Sequence, residues 1–164
     1  MKIEILNRSK KKKIIEIFKN FGITQIKETL ILSGKEKIRA FSGSLDQKEI
    51  MAIWKILPIE GIGLYVGKDS FNRKKNTHEI RPTLDGLHTW KKQITNRIIK
   101  LTDSQEKEWF SGANIDLSTT QKTEDGFIVV KHNTDFVGVG KVGNCGSTLF
   151  GFLPKERRRK ERTA

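Results

Sequence analysis

GFIVVKHNTDFVGVGKVGNCGSTLFGFLPKERRR, residues Gly126–Arg159, reads as two or three short strands strung on glycines and running into a basic tail. Phe127, Val129 and Lys131 face one way, and Ile128, Val130 and His132 the other, with apolar residues on both sides. A strand apolar on both faces belongs inside a barrel or sandwich. Asn133-Thr134 separates this run from Asp135-Phe136-Val137-Gly138-Val139, which predicts a tight hairpin. A compact β-module closing on Lys155-Glu156-Arg157-Arg158-Arg159-Lys160 suits a polyanion partner such as RNA better than it suits catalysis.

Outward from this module, 164 residues hold one domain or two small ones. Hydrophobic residues make up 35% and charged residues 31%, so the core is modest. No apolar run reaches the length of a membrane span, about 18 residues. Met1-Lys2-Ile3-Glu4 lacks the apolar segment of a secretory signal. The single cysteine, Cys145, excludes an internal disulfide and fits a reducing compartment. The expectation is a cytoplasmic protein without a membrane partner.

The net charge of +13 is unevenly spread. Residues 1–93 carry 20 basic and 10 acidic side chains, a net of +10. Residues 94–154 are almost neutral at −1, and residues 155–164 add +4. Basic charge therefore has two separate sources, the N-terminal half and the tail. Clustered basic runs at a pI near 9.9 mark a polyanion partner, usually nucleic acid; the competing account is a well-solvated lysine surface.

Along the chain, a short strand at Lys2–Leu6 precedes a helix from Arg8 to Asn20, whose Ile14, Ile17, Phe18 and Phe21 form one apolar stripe. Lys10, Lys11, Lys12 and Lys13 fill its first turns, where the macrodipole favours acids. The cluster reads either as a solvated face or as phosphate contacts. Thr29–Ser33 and Lys37–Phe41 flank Gly34-Lys35-Glu36 as a hairpin. A helix is expected from Asp46 to Leu57, ended by Pro58, and a strand over Gly61–Val66. Lys68–Thr77, with Arg73-Lys74-Lys75, reads as an exposed basic loop. Ile80–Leu87 looks extended around Pro82, with a short helix from Leu84 to Lys92. The domain junction falls near Gln93 to Asn96, followed by a strand at Arg97–Leu101 and a helix capped by Thr102 or Asp103 and ended by Gly112. Leu117 to Asp125 reads as a polar loop.

Two glycine patterns invite a nucleotide site and fail. Gly138-Val139-Gly140-Lys141-Val142-Gly143 matches GxGxxG by letter, but Asn144-Cys145-Gly146-Ser147-Thr148 cannot open the helix that a dinucleotide fingerprint requires. Glycines that let strands bend in a small barrel explain it better. Gly61–Ser70 lacks the spacing of a phosphate loop, and Asp69 stands where a hydroxyl would hold magnesium. His78, His88 and His132 are scattered, so no metal spacing exists, and no cofactor is expected. A Cys145–His132 nucleophilic pair is weaker than a plain core cysteine. Carboxylates offer no acid–base pair, and the chain is read as a non-enzyme. Trp90 beside Lys91-Lys92, and Trp109-Phe110, read either as base-stacking residues or as packing.

The segment Ile80–Arg159 resembles the C-terminal half of the Nip-seven-like ribosome-biogenesis factors, which end in a PUA domain. The resemblance rests on Leu84-Asp85-Gly86-Leu87, Arg97-Ile98-Ile99-Lys100-Leu101 and the helix Ser104–Ser111 with Gly112-Ala113-Asn114. Most specific are Gly126–Lys131, Asp135–Gly140 and Phe152-Leu153-Pro154-Lys155-Glu156-Arg157-Arg158. The module is also similar to the accessory domain of some archaeal-type RNA 5-methylcytosine methyltransferases. About half the chain is covered; residues 1–79 share only a general layout. With the lysine and isoleucine bias, the resemblance suggests an archaeal source.

The resemblance implies an α+β protein: an α/β N-terminal domain over 1–93, a PUA-like mixed β-barrel over 94–154, and a basic tail over 155–164. It implies an RNA groove at Ser111, Gly112 and Asn114, Lys131, and Lys155, Arg157, Arg158, Arg159 and Lys160. Since residues 94–154 are nearly neutral, weight shifts to the tail and to Lys10–Lys13 and Arg73, Lys74 and Lys75. The expected function is non-catalytic RNA binding in rRNA processing or ribosome assembly. Two alternatives stay open: an accessory subunit of an RNA-modifying enzyme (a 5-methylcytosine methyltransferase or pseudouridine synthase), or a protein-interaction adaptor in ribosome assembly.

Overall fold

Residues 2–57, 61–73, 75–117 and 123–159 are described by a computed structural model, and the chain divides into two units, Met1–Ile94 and Thr95–Ala164. The fold is mixed α+β, with two five-stranded sheets, one of them a curled half-barrel.

In the first unit, β1 (Ile3–Ile5), β2 (Thr29–Ser33), β3 (Lys37–Phe41), β4 (Leu64–Asn72) and β5 (Thr77–Pro82) lie side by side in chain order, all antiparallel. Helix α1 (Arg8–Phe18) starts where the Asn7 side chain accepts from the Lys10 amide. Helix α2 (Gln47–Ile56) starts at a reciprocal cap, Asp46 accepting from the Glu49 amide at 2.8 Å and Glu49 from the Asp46 amide at 2.7 Å. The two helices cover opposite faces: Ile50 of α2 joins Ile3 and Ile31, while Phe18 of α1 lies over Gly67 and Ile80. Helix α3 (Leu84–Thr89), capped by Thr83, is followed by a 3-10 turn at Lys91–Gln93.

The expected basic loop at Lys68–Thr77 is mostly strand. β4 begins at Leu64 rather than Gly61 and continues to Asn72, and β5 resumes at Thr77, so among the described residues only Arg73, Lys75 and Asn76 remain of the expected loop. Lys68-Asp69-Ser70-Phe71-Asn72 shows no period-2 apolar signal because the ladder covers no core beyond the pair Asp69↔Ile80. The extended reading of 80–87 also ends early: Pro82 closes edge strand β5, where its missing amide costs no ladder bond, and α3 follows.

In the second unit, β6 (Ile98–Leu101), β8 (Gly126–His132), β9 (Asp135–Gly143), β10 (Thr148–Gly151) and β7 (Ile115–Asp116) follow one another across the sheet. β6 runs parallel to β8, with α4 (Asp103–Ser111) in the crossover; the other pairs are antiparallel. Asn133, in the left-handed region at φ 50°, turns β8 into β9. The inner face carries Ile99, Leu101, Ile128, Val130, Val142 and Leu149, closed over by Trp109 of α4. β9 makes room for that indole at Gly138, where a Cβ would stand 2.9 Å from Trp109 Cζ2, and the Val137 carbonyl accepts from Trp109 Nε1 at 3.2 Å. The GxGxxG letters thus belong to one strand packed on a helix and a neighbouring strand.

Cys145 is exposed in the turn after β9, while His132 ends β8 beside Asp135. The length of β8, seven residues or about 20 Å, separates them, so they form no nucleophilic pair. Among the described residues no cluster of His, Cys, Asp and Glu could hold a metal, and no helix is long and apolar enough to cross a membrane.

Candidate nucleic-acid interface

In the second unit the expected groove residues gather at the C-terminal end of α4. Thr102 and Gln105 cap the helix start, and Gly112 ends it at φ +87°. The Ser111 hydroxyl donates to the Glu108 carbonyl at 2.7 Å, and Asn114 is exposed just before β7. After β10 the chain passes buried Leu153 and a 3-10 turn at Lys155–Arg157, then returns to α4, where the Arg159 amide donates to the Phe110 carbonyl at 2.8 Å.

The two last described arginines fasten this return. Arg158 Nε donates to the Leu153 carbonyl at 3.3 Å, and its guanidinium lies where a Cβ on Gly112 would stand, 2.7 Å from Cζ. Arg159 donates to both oxygens of Glu106, at 2.8 and 3.2 Å, and sits 4.6 Å over the Phe110 ring. Lys155 and Arg157 are exposed, with no side-chain partner among the described residues. Lys131 is not part of this cluster. It stands 5.7 Å over Phe136, beside the His132–Asp103 pair at the start of α4. Nine helical residues, about 14 Å, separate that end from Gly112. Lys160 lies outside the described residues.

In the first unit, successive α1 residues step about 100° apart, so Lys10–Lys13 fan around the helix instead of forming one patch. Lys10 pairs with Glu4, and Lys11 Nζ donates to the Glu28 carbonyl at 2.8 Å. Lys12 and Lys13 are exposed. Arg73 and Lys75 occupy the β4–β5 turn, with Lys75 3.7 Å from Glu79; Lys74 lies outside the described residues.

A second gathering of cations was half visible in the sequence. Lys27, Lys91 and Lys92 line, together with His88, a depression of about 470 Å³ beside Trp90. Gln93 in its lining ties two segments together: its side-chain oxygen accepts from the Thr24 and Gln25 amides while its nitrogen donates to the Gln25 carbonyl. Glu28 is the one acid in its lining, and one Glu28 oxygen accepts from Trp90 Nε1 at 3.3 Å. Lys27, Lys91 and Lys92 have no acidic partner among the described residues.

The tryptophans are packing residues. Trp90 is 4% exposed and meets Phe18 edge-on at 5.2 Å; Trp109 is 1% exposed. Phe110 is covered by Arg159. The aromatic rings at the surface are Phe71 and Phe152, which charge and motif spacing did not single out. No protein-family model matches the chain, and no curated protein matches it in sequence.

Proposed function

We propose that this protein binds RNA without catalysing a reaction, that its second unit is a PUA-like barrel, and that it acts in rRNA processing or ribosome assembly. The observation that carries this reading is the gathering of Lys27, Lys91 and Lys92 around one depression that Glu28 alone lines as an acid, with none of the three lysines in an ion pair among the described residues. Like charges held together at a surface repel one another and gain from a polyanion that displaces its counterions. Lys12, Lys13, Arg73, Lys155 and Arg157 are further exposed cations for phosphates. The segment resemblance supports the assignment to ribosome assembly.

The test is a titration of labelled single-stranded RNA at several salt concentrations. About six neutralised phosphates give a log–log slope near −4, at about −0.7 each. A slope shallower than about −1 rejects phosphate-driven binding. Exposed Ile56, Leu57 and Leu64 in the first unit favour a second reading, a protein adaptor, for which partner capture survives high salt while RNA binding stays weak.

A further inference from the structure

The β4–β5 hairpin reaches past its sheet. β3 pairs with β4 only as far as Lys37↔Lys68, with one more bond from the Asp69 amide to the Glu36 carbonyl. β4 and β5 continue as a two-stranded ribbon through Asp69↔Ile80, Ser70↔Glu79, Phe71↔His78 and Asn72↔Thr77. Four residue pairs extend it by about 13 Å. The ribbon is braced by side chains: Asn72 Nδ2 donates to Glu79 at 2.8 Å, and the Asn72 side-chain oxygen accepts from the Lys75 amide at 3.2 Å.

Phe71 stands on this ribbon 51% exposed, beyond the last core residue, Ile80. An isolated surface phenylalanine needs no explanation. This one has a built surrounding. Its cross-strand neighbour His78 meets it edge-on at 5.2 Å and 64°, and His78 Nδ1 lies 2.9 Å from Asp69 Oδ1. The ring is thereby held by His78 while about half of the residue's surface stays exposed to solvent. Both acids of the ribbon are occupied, Asp69 by His78 and Glu79 by Asn72 and Lys75. Arg73, two residues beyond Phe71, has no acidic partner among the described residues.

We infer that the ribbon is a single-strand platform: an unpaired RNA base stacks on Phe71 while Arg73 and Lys75 hold neighbouring phosphates. This rests on the RNA-binding reading and gives it a substrate class, since bases inside a duplex offer no free face to a side chain. An apolar protein partner would leave Arg73 uncompensated, whereas a nucleic acid supplies the anion beside the ring.

The full-length protein is titrated with a fluorescein-labelled unstructured 12-nucleotide RNA and with a 12-base-pair RNA duplex. Phe71→Ala weakens single-strand binding about tenfold, leaves duplex binding unchanged and keeps the salt slope, because stacking releases no counterions. Arg73→Gln with Lys75→Gln lowers the slope magnitude by about 1.4. Phe71→Trp retains affinity, and its added emission is quenched by bound RNA; this variant also guards against a folding defect in Phe71→Ala. If wild type binds RNA with a steep slope but Phe71→Ala stays within about twofold of it, the platform is overturned and the RNA reading stands. If wild type itself binds without salt dependence, the RNA reading falls and the platform with it.

Discussion

At the scale of single residues, two glycines decide where helices sit. A Cβ on Gly86 would lie 2.3 Å from the Val66 carbonyl oxygen, the same carbonyl that accepts from the Thr83 amide at 3.0 Å. Backbone cannot swing aside as a side chain can, so α3 would have to lift from β4. Gly86→Ala is expected to lower stability by about 3 kcal/mol in urea denaturation, the upper range for overpacking. Gly138→Ala meets two obstacles, φ +152° and Trp109 Cζ2 at 2.9 Å, and is expected to cost about 2 kcal/mol. Losses below about 0.5 kcal/mol at either site would show that the neighbouring element moves freely. Neither role was legible in the sequence, where Gly86 is a poor helix residue and Gly138 opens a false nucleotide motif.

At the scale of elements, the tail has divided labour. Arg158 and Arg159 close onto α4, while Lys155 and Arg157 stay exposed to solvent. Arg159 is 64% exposed and Glu106 12%, so their bidentate pair is screened and worth about 1 kcal/mol together with the ring contact. Arg159→Ala and Glu106→Gln should each lower the melting temperature by a few degrees, and the double variant by no more than the larger single effect. Additive losses would break the claim that they act as a pair. Lys155→Gln with Arg157→Gln should leave melting unchanged and weaken RNA binding severalfold; equal affinity would leave those two cations to solvation. Helix α4 was readable from its caps, and β2–β3 and β8–β9 from their turns, because those signals act within a few residues. The docking of Arg159 on Glu106 was not, since 53 residues intervene.

At the scale of the molecule, charge and core are distributed differently. Each unit has its own sheet and buried cluster, while the first carries a net +10 and the folded part of the second is nearly neutral. Fragments 1–94 and 95–164 should therefore each unfold cooperatively, and fragment 1–94 should retain most of the salt dependence of RNA binding. A larger slope on fragment 95–164 would move the interface to the barrel and its tail.

Sequence by itself determined the α+β class, the caps and turns of most elements and the two sources of basic charge. These follow from short-range periodicity, capping chemistry and composition, which need no knowledge of distant neighbours. Tertiary structure alone decided that Trp90 and Trp109 are core, that β4 and β5 project beyond the sheet with Phe71 exposed, and that Lys27 joins Lys91 and Lys92 around one depression. Burial and convergence depend on which surfaces meet across long stretches of chain, and no local pattern encodes that meeting.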